Sequence, residues 1–148
     1  MGFSRIAVGG CCLCDLSEEF LPFIITPLKN SIMRGLIIKP FWMSKILSGE
    51  KSIEVRSCCH HSTGERVLLL ISGGWCVGSA TLGECFAFDC VSWQSLRLEH
   101  CVNLSYYQIS ARYKSPYGWK LLNVRWCVPY RYKHPKGAII WVKNVIPL

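Results

Sequence analysis

One stretch constrains this chain more than any other: Arg34 to Arg56, RGLIIKPFWMSKILSGEKSIEVR. It reads as strand, short helix, tight turn, strand. Leu36, Ile37 and Ile38 form an apolar run with basic ends. Pro40 stops it, because proline fixes φ and lacks an N–H. From Phe41 to Ser48, apolar Phe41, Trp42, Ile46 and Leu47 recur at near-helical spacing. Gly49 stands where a helix-terminating glycine belongs. From Ser52 to Arg56 the pattern alternates, which puts Ile53 and Val55 on one face and Ser52, Glu54 and Arg56 on the other. Lys51 lies at the mouth of that strand, so opposite charges gather beside a turn.

Lys39, Lys51, Glu54 and Arg56 are therefore the group to weigh for chemistry. A lysine beside a carboxylate, if desolvated, loses pKa and can serve as base or nucleophile. If solvated, it neutralises Glu54 or binds phosphate. An exposed pair of this kind contributes only about 0–1 kcal/mol.

The quoted residues resemble the ASCH domain, of the PUA-like superfamily. That family runs an apolar strand and a short helix into Gly-x-Lys-Thr/Ser-x-Glu-x-Arg. Here it is Ile38-Lys39-Pro40, Phe41-Trp42, Ile46-Leu47-Ser48-Gly49-Glu50-Lys51-Ser52 and Glu54-Val55-Arg56. A second match comprises Tyr117-Gly118-Trp119, Leu122-Asn123, Pro129-Tyr130, His134-Pro135, Lys136-Gly137-Ala138 and Trp141-Val142. Together they cover roughly Met33 to Val145. The resemblance implies an α+β fold, a small PUA-like β-barrel of five or six strands with a few short helices, over residues 33–148.

It also implies function. PUA-like domains commonly bind RNA, and several relatives hold a modified base in an aromatic-lined pocket. On that reading the ligand is RNA or a nucleotide-like molecule, and the binding residues are Lys39, Trp42, Lys51, Glu54, Arg56 and Trp119. Some small ASCH proteins are amidohydrolases of N4-acetylcytidine that use a lysine, a threonine hydroxyl and a glutamate. Lys51 matches their lysine, and Lys51 with Glu54 is the catalytic pair if this chain is a hydrolase. Three residues after that lysine, however, stands Glu54 and not threonine, and Ser52 turns to the same face as Glu54. The family's name derives from a transcriptional coactivator context, which adds a protein-interaction adaptor as a third class.

The charge distribution points the same way as the binding reading. The chain carries 17 Lys and Arg against 9 Asp and Glu, and every acid lies at or before Glu99. Beyond it come eight bases, interleaved with Tyr113, Tyr117, Trp119, Trp126, Tyr130 and Tyr132. Cations suit phosphates and rings suit bases. Arg125, Arg131, Lys133 and Lys136 are the expected nucleic-acid contacts. His134 reads as part of a structural turn.

The 10 cysteines do not read as a metal or disulfide framework. Cys58-Cys59-His60-His61 has ligand types without ligand spacing, since successive strand residues face opposite ways. No metal or cofactor is expected. A reducing, cytoplasmic setting keeps the thiols free, with Cys76, Cys85, Cys90, Cys101 and Cys127 as small core residues. No apolar run reaches the roughly 18 residues of a membrane helix.

The remaining pattern is ordinary. Residues 1–32 read as an extension outside the domain, with an apolar start too short for a signal peptide, a Cys11-Cys12-Leu13-Cys14 cluster and a helix start at Asp15. Met33 offers a second translation start. Arg66 to Ser72 reads as a strand buried on both faces, Gly73-Gly74 as a hairpin turn, and Trp75 to Phe88 as the return strand with bulges or close approaches at Gly78 and Gly83. Ser92 is the expected cap of a helix to Leu98. Leu104 to Tyr113 is a further helix, Gly118 to Arg131 a strand-rich segment, and Gly137 to Asn144 the closing strand.

Overall fold

The computed structural model describes residues 32–148. The Cys11–Cys14 cluster and the helix start at Asp15 lie outside the described residues. The elements run β1 (Gly35–Ile38), α1 (Pro40–Leu47), β2 (Ile53–Arg56), β3 (Arg66–Ile71), β4 (Trp75–Ala87), α2 (Cys90–Ser95), α3 (Arg97–His100), α4 (Tyr106–Arg112), β5 (Tyr117–Arg131) and β6 (Trp141–Val142). The strands form one six-stranded sheet in the order β2-β5-β4-β3-β1-β6. β1 and β3 run parallel; every other neighbouring pair is antiparallel. The sheet curls so far that Arg56, on edge strand β2, donates a 2.7 Å hydrogen bond to the Ile37 carbonyl of β1. This is an α+β small barrel, as the resemblance implies.

The hydrophobic pattern explains the layers. β3 is buried on both faces: Val67 and Leu69 join the inner core with Leu36, Ile38, Val77, Ala80, Leu82, Trp119 and Leu121, whereas Leu68 and Leu70 join a second core with Ile37, Cys76, Cys127, Tyr132 and Val142. α1 closes the inner core with Met43 and Ile46. Pro40 does more than stop the strand, since it occupies the first turn of α1, where a missing N–H costs nothing. Gly49, at φ +85°, ends the helix. A third core forms where Ile53 and Val55, the outer face of β2, meet Trp93, Val102 and Ile109. The alternation in 52–56 thus separates a helix-facing apolar side from an inward-facing charged side.

Several local expectations shift. Asp89, not Ser92, caps α2; its carboxylate accepts from the Ser92 N–H, and the Ser92 hydroxyl accepts from the Asp89 N–H. The single helix expected to Leu98 is two, broken at Leu96, and Cys101 ends the second at φ +59°. The closing strand shrinks to Trp141–Val142, because Pro135–Ala138 is spent on a turn with Gly137 at φ +80°. Cys76 and Cys127 are core thiols, but Cys90 is exposed and Cys85 is bridged to Cys59 by a disulfide. That corrects the expectation of free thiols: the chain brings the loop after β2 against β4, a proximity that spacing along the chain does not reveal. No described helix is long and apolar enough to cross a membrane.

Gly78 matters through space, not through φ. A Cβ there would run into the Arg125 carbonyl oxygen, where β4 bulges against β5. Gly78→Ala must push two paired backbones apart. We expect it to cost about 1–3 kcal/mol, read as a lowered midpoint in urea denaturation.

Candidate functional site

The inward face of β2 builds the site. Glu54 is buried, and its two oxygens face different cations: Oε2 lies 3.6 Å from Lys51 Nζ and Oε1 lies 3.2 Å from Arg56 Nε. Lys51 is 2% exposed. Its ammonium donates to the His100 carbonyl at 2.6 Å and sits 4.7 Å from the centroid of the Trp42 ring. Of the two states open to Lys51, this is the desolvated one. The end of α3 and the Trp42 ring roof Lys51, and burial pushes its pKa down further than Glu54 pulls it up. Arg56 also spans to the Ile37 carbonyl, so the triad carries two cations for one anion in a buried place.

His100 is fixed by bonds that define its tautomer. The Val102 N–H donates to Nδ1 at 3.0 Å, so Nε2 carries the proton and donates to the Trp93 carbonyl at 2.8 Å. The ring is stacked on Trp93 at 4.0 Å between centroids. Burial lowers its pKa, and so does the nearby Lys51 charge.

Beside the triad opens a cleft of about 400 Å3. Glu54 and Arg56 line it together with Trp42, Lys39, Tyr113 and His134, while Lys51 does not. Its remaining walls come from the β3–β4 turn at Ser72 and Gly73 and from Ala138 and Ile139. Lys39, Trp42, Glu54 and Arg56 are thus brought together on one cleft. Trp119 is not among them. It is 1% exposed, stacked on Trp141, and its indole N–H donates to the Cys58 carbonyl at 2.8 Å, so it belongs to the core.

Tyr113, the Ser72-Gly73 turn and the His100 carbonyl are parts of the site that the sequence does not mark as such. They reach the site from turns and helix ends with no motif; only the negative end of α3 beside a lysine is a general signal. His134 lines the cleft as well as stabilising its turn. Its Nε2 lies 3.1 Å from the Ala138 carbonyl and must donate, so Nδ1 accepts from the Tyr132 hydroxyl at 2.7 Å. Both ring nitrogens are therefore occupied.

Arg125, Arg131, Lys133 and Lys136 are all exposed, but they do not share one surface. Arg125 pairs in register with Ser79, whose hydroxyl accepts from Arg66 at 2.7 Å, which sets Arg125 on the Arg66 face of the sheet. Arg131 pairs with Trp75 and lies 5.1 Å from that ring's centroid. Among the described residues no group of three or more His, Cys, Asp or Glu could hold a metal ion. Cys59 is bridged, His60 packs edge-on against Trp119 at 5.0 Å, and Cys58 is exposed.

A curled sheet plugged by one short helix, with a charged strand facing an aromatic cleft, defines the chain as a small α+β barrel. Solved structures narrow this to one fold. No family model and no curated protein matches the chain. Structural matches are found to the ASCH protein of Zymomonas mobilis. It is 18% identical with a TM-score of 0.54, over 66% of this chain and 71% of that one. A serine-to-alanine variant of it matches at 16% identity and TM-score 0.58, over 75% and 87%. A tyrosine-to-phenylalanine variant matches at 18% and 0.55, over 68% and 76%. This chain has the ASCH fold.

Two predictions follow from the triad and from His100. Glu54→Gln leaves buried Lys51 and partly buried Arg56 without their shared anion and should cost about 3–5 kcal/mol. Lys51→Met leaves Glu54 paired with Arg56 and mainly orphans the His100 carbonyl, at about 1–3 kcal/mol; equal losses in urea denaturation would contradict the arrangement. The second concerns pH. The unfolded chain takes up a proton on His100 near 6.5, while the folded chain resists it until lower pH. Stability should be fully present above pH 6.5 and decline as pH falls below it. His60, also depressed by burial, acts in the same direction. His100→Gln should flatten the fall in Tm between pH 7 and pH 5.

Proposed function

We propose that the cleft binds a single nucleotide unit, within RNA or as a nucleotide-like ligand. The observation that carries this reading is the pairing of a fixed acceptor with a fixed donor between aromatic walls. Glu54 offers acceptor oxygens only and Arg56 donor N–H groups only, and both line a cleft shared with Trp42 and Tyr113. That is the composition of a pocket that stacks a planar ring and reads its polar edge. Lys39, exposed on the same cleft, suits a phosphate. The acid-free segment beyond Glu99 and the likeness to RNA-binding PUA-like domains support the same reading.

One observation favours hydrolysis of an acylated nucleoside as a second reading: Lys51 is desolvated beside a carboxylate, as an activated lysine would be. Against it, Lys51 is covered by Trp42 and committed to the His100 carbonyl, and no hydroxyl stands at the position three residues after it.

Calorimetry with cytidine 5′-monophosphate and N4-acetylcytidine, and chromatography of the same mixtures, separates the two. We expect binding without turnover, and Trp42→Ala should weaken it by about 1–3 kcal/mol. Release of acetate by the parent protein, absent in Lys51→Ala, would replace binding with catalysis as the conclusion.

A further inference from the structure

We infer that a second aromatic surface, formed by Trp75, Trp126 and Arg131 on the β4–β5 ladder, stacks the bases of single-stranded RNA that flank the nucleotide in the cleft. This rests on the nucleotide-binding reading above and extends it to a strand.

Register puts the three residues on one face. Trp126 pairs with Gly78, and Gly78 pairs with Leu69 of β3. Arg131 pairs with Trp75, and Trp75 pairs with Ile71 of β3. Leu69 and Ile71 are two residues apart on one strand, so they share a face, and the two rows lie about 7 Å apart. The bulge between Cys76 and Gly78 is what keeps Trp75 and Trp126 on the same side.

Both rings are left open. Trp126 is 54% exposed and Trp75 is 41% exposed. The position across the ladder from Trp126 is a glycine and brings no side chain to its row. Val128, on the same segment, is 57% exposed. Such exposure costs free energy unless a partner covers it.

Charge selects the partner. Arg131 lies over Trp75, and Lys133 and Lys136 follow it exposed; from Arg112 to Leu148 the chain has no acid. A polyanion carrying flat apolar rings fits this surface, and single-stranded RNA has both. The surface also continues from the cleft. Ser72 and Gly73 line the cleft, Gly74 accepts the Tyr132 N–H, and Trp75 with Arg131 comes next before Trp126.

Fluorescence anisotropy with a labelled ten-nucleotide RNA, set beside calorimetry with cytidine 5′-monophosphate, tests this. Trp126→Ala should weaken the decamer by roughly 5- to 150-fold and leave the mononucleotide unchanged. Arg131→Gln, an independent exposed variant, should lower the log–log salt slope for the decamer by about 0.7. If Trp126→Ala, Trp75→Ala and Arg131→Gln all bind the decamer like the parent while Trp42→Ala does not, the second surface is overturned and the cleft reading stands. If the parent binds neither probe, both fall.

Discussion

The carboxylate of Glu54 is the constraint on which the rest depends. Among the described residues, edge strand β2 has a ladder partner on one side only, β5. On its other side, what ties it back to the barrel is the Arg56 guanidinium reaching the Ile37 carbonyl. That arginine is buried enough to need an anion, and Glu54 supplies it while also facing Lys51. Lys51 in turn draws the end of α3 toward α1 through the His100 carbonyl and the Trp42 ring. One anion therefore coordinates strand closure, helix docking and the wall of the cleft. Buried ion pairs seldom add much stability over apolar packing, but removing one partner is costly. The arrangement serves position more than strength.

Much of this was legible in the residues. Period-two alternation in 52–56 assigns Ile53 and Val55 to one face and Glu54 and Arg56 to the other, and both faces are occupied as that pattern requires. Unbroken apolarity from Val67 to Leu70 signals burial on two sides, and Gly73-Gly74 signals the turn. These are local facts, set by side-chain direction and backbone φ. What was not legible came from long-range proximity. Lys51 is buried because a helix end some fifty positions later covers it. Trp119 looks like a stacking residue by type, and only the Cys58 carbonyl and Trp141 make it core. Cys59 and Cys85 meet across the sheet, although each stands in an unremarkable local context.

The basic half of the chain illustrates the same limit. Composition groups Arg125 with Arg131, yet the ladder assigns them to opposite faces. Arg125 belongs with Arg66 above Ser79, in a region that braces β3, β4 and β5 through the Thr81 hydroxyl and the Asn123 carbonyl. A bulge decides which face an arginine occupies, and bulges leave little trace in a hydrophobicity pattern.

The pairing of β2 with β5 also has a consequence for the order in which this molecule comes into being. Glu54 finds its ladder partner in Trp119, and Arg56 in Tyr117, with the hairpin of β3 and β4 and three helices in between. During synthesis the motif-bearing strand leaves the ribosome long before the strand that will hold it. Until Tyr117 has emerged, Glu54 and Arg56 have no ladder, and their charges remain in water, where the pair holds little. The large loop must close before any of its contacts exist. The cleft is thus a late product of folding even though the residues that mark it come early in the chain.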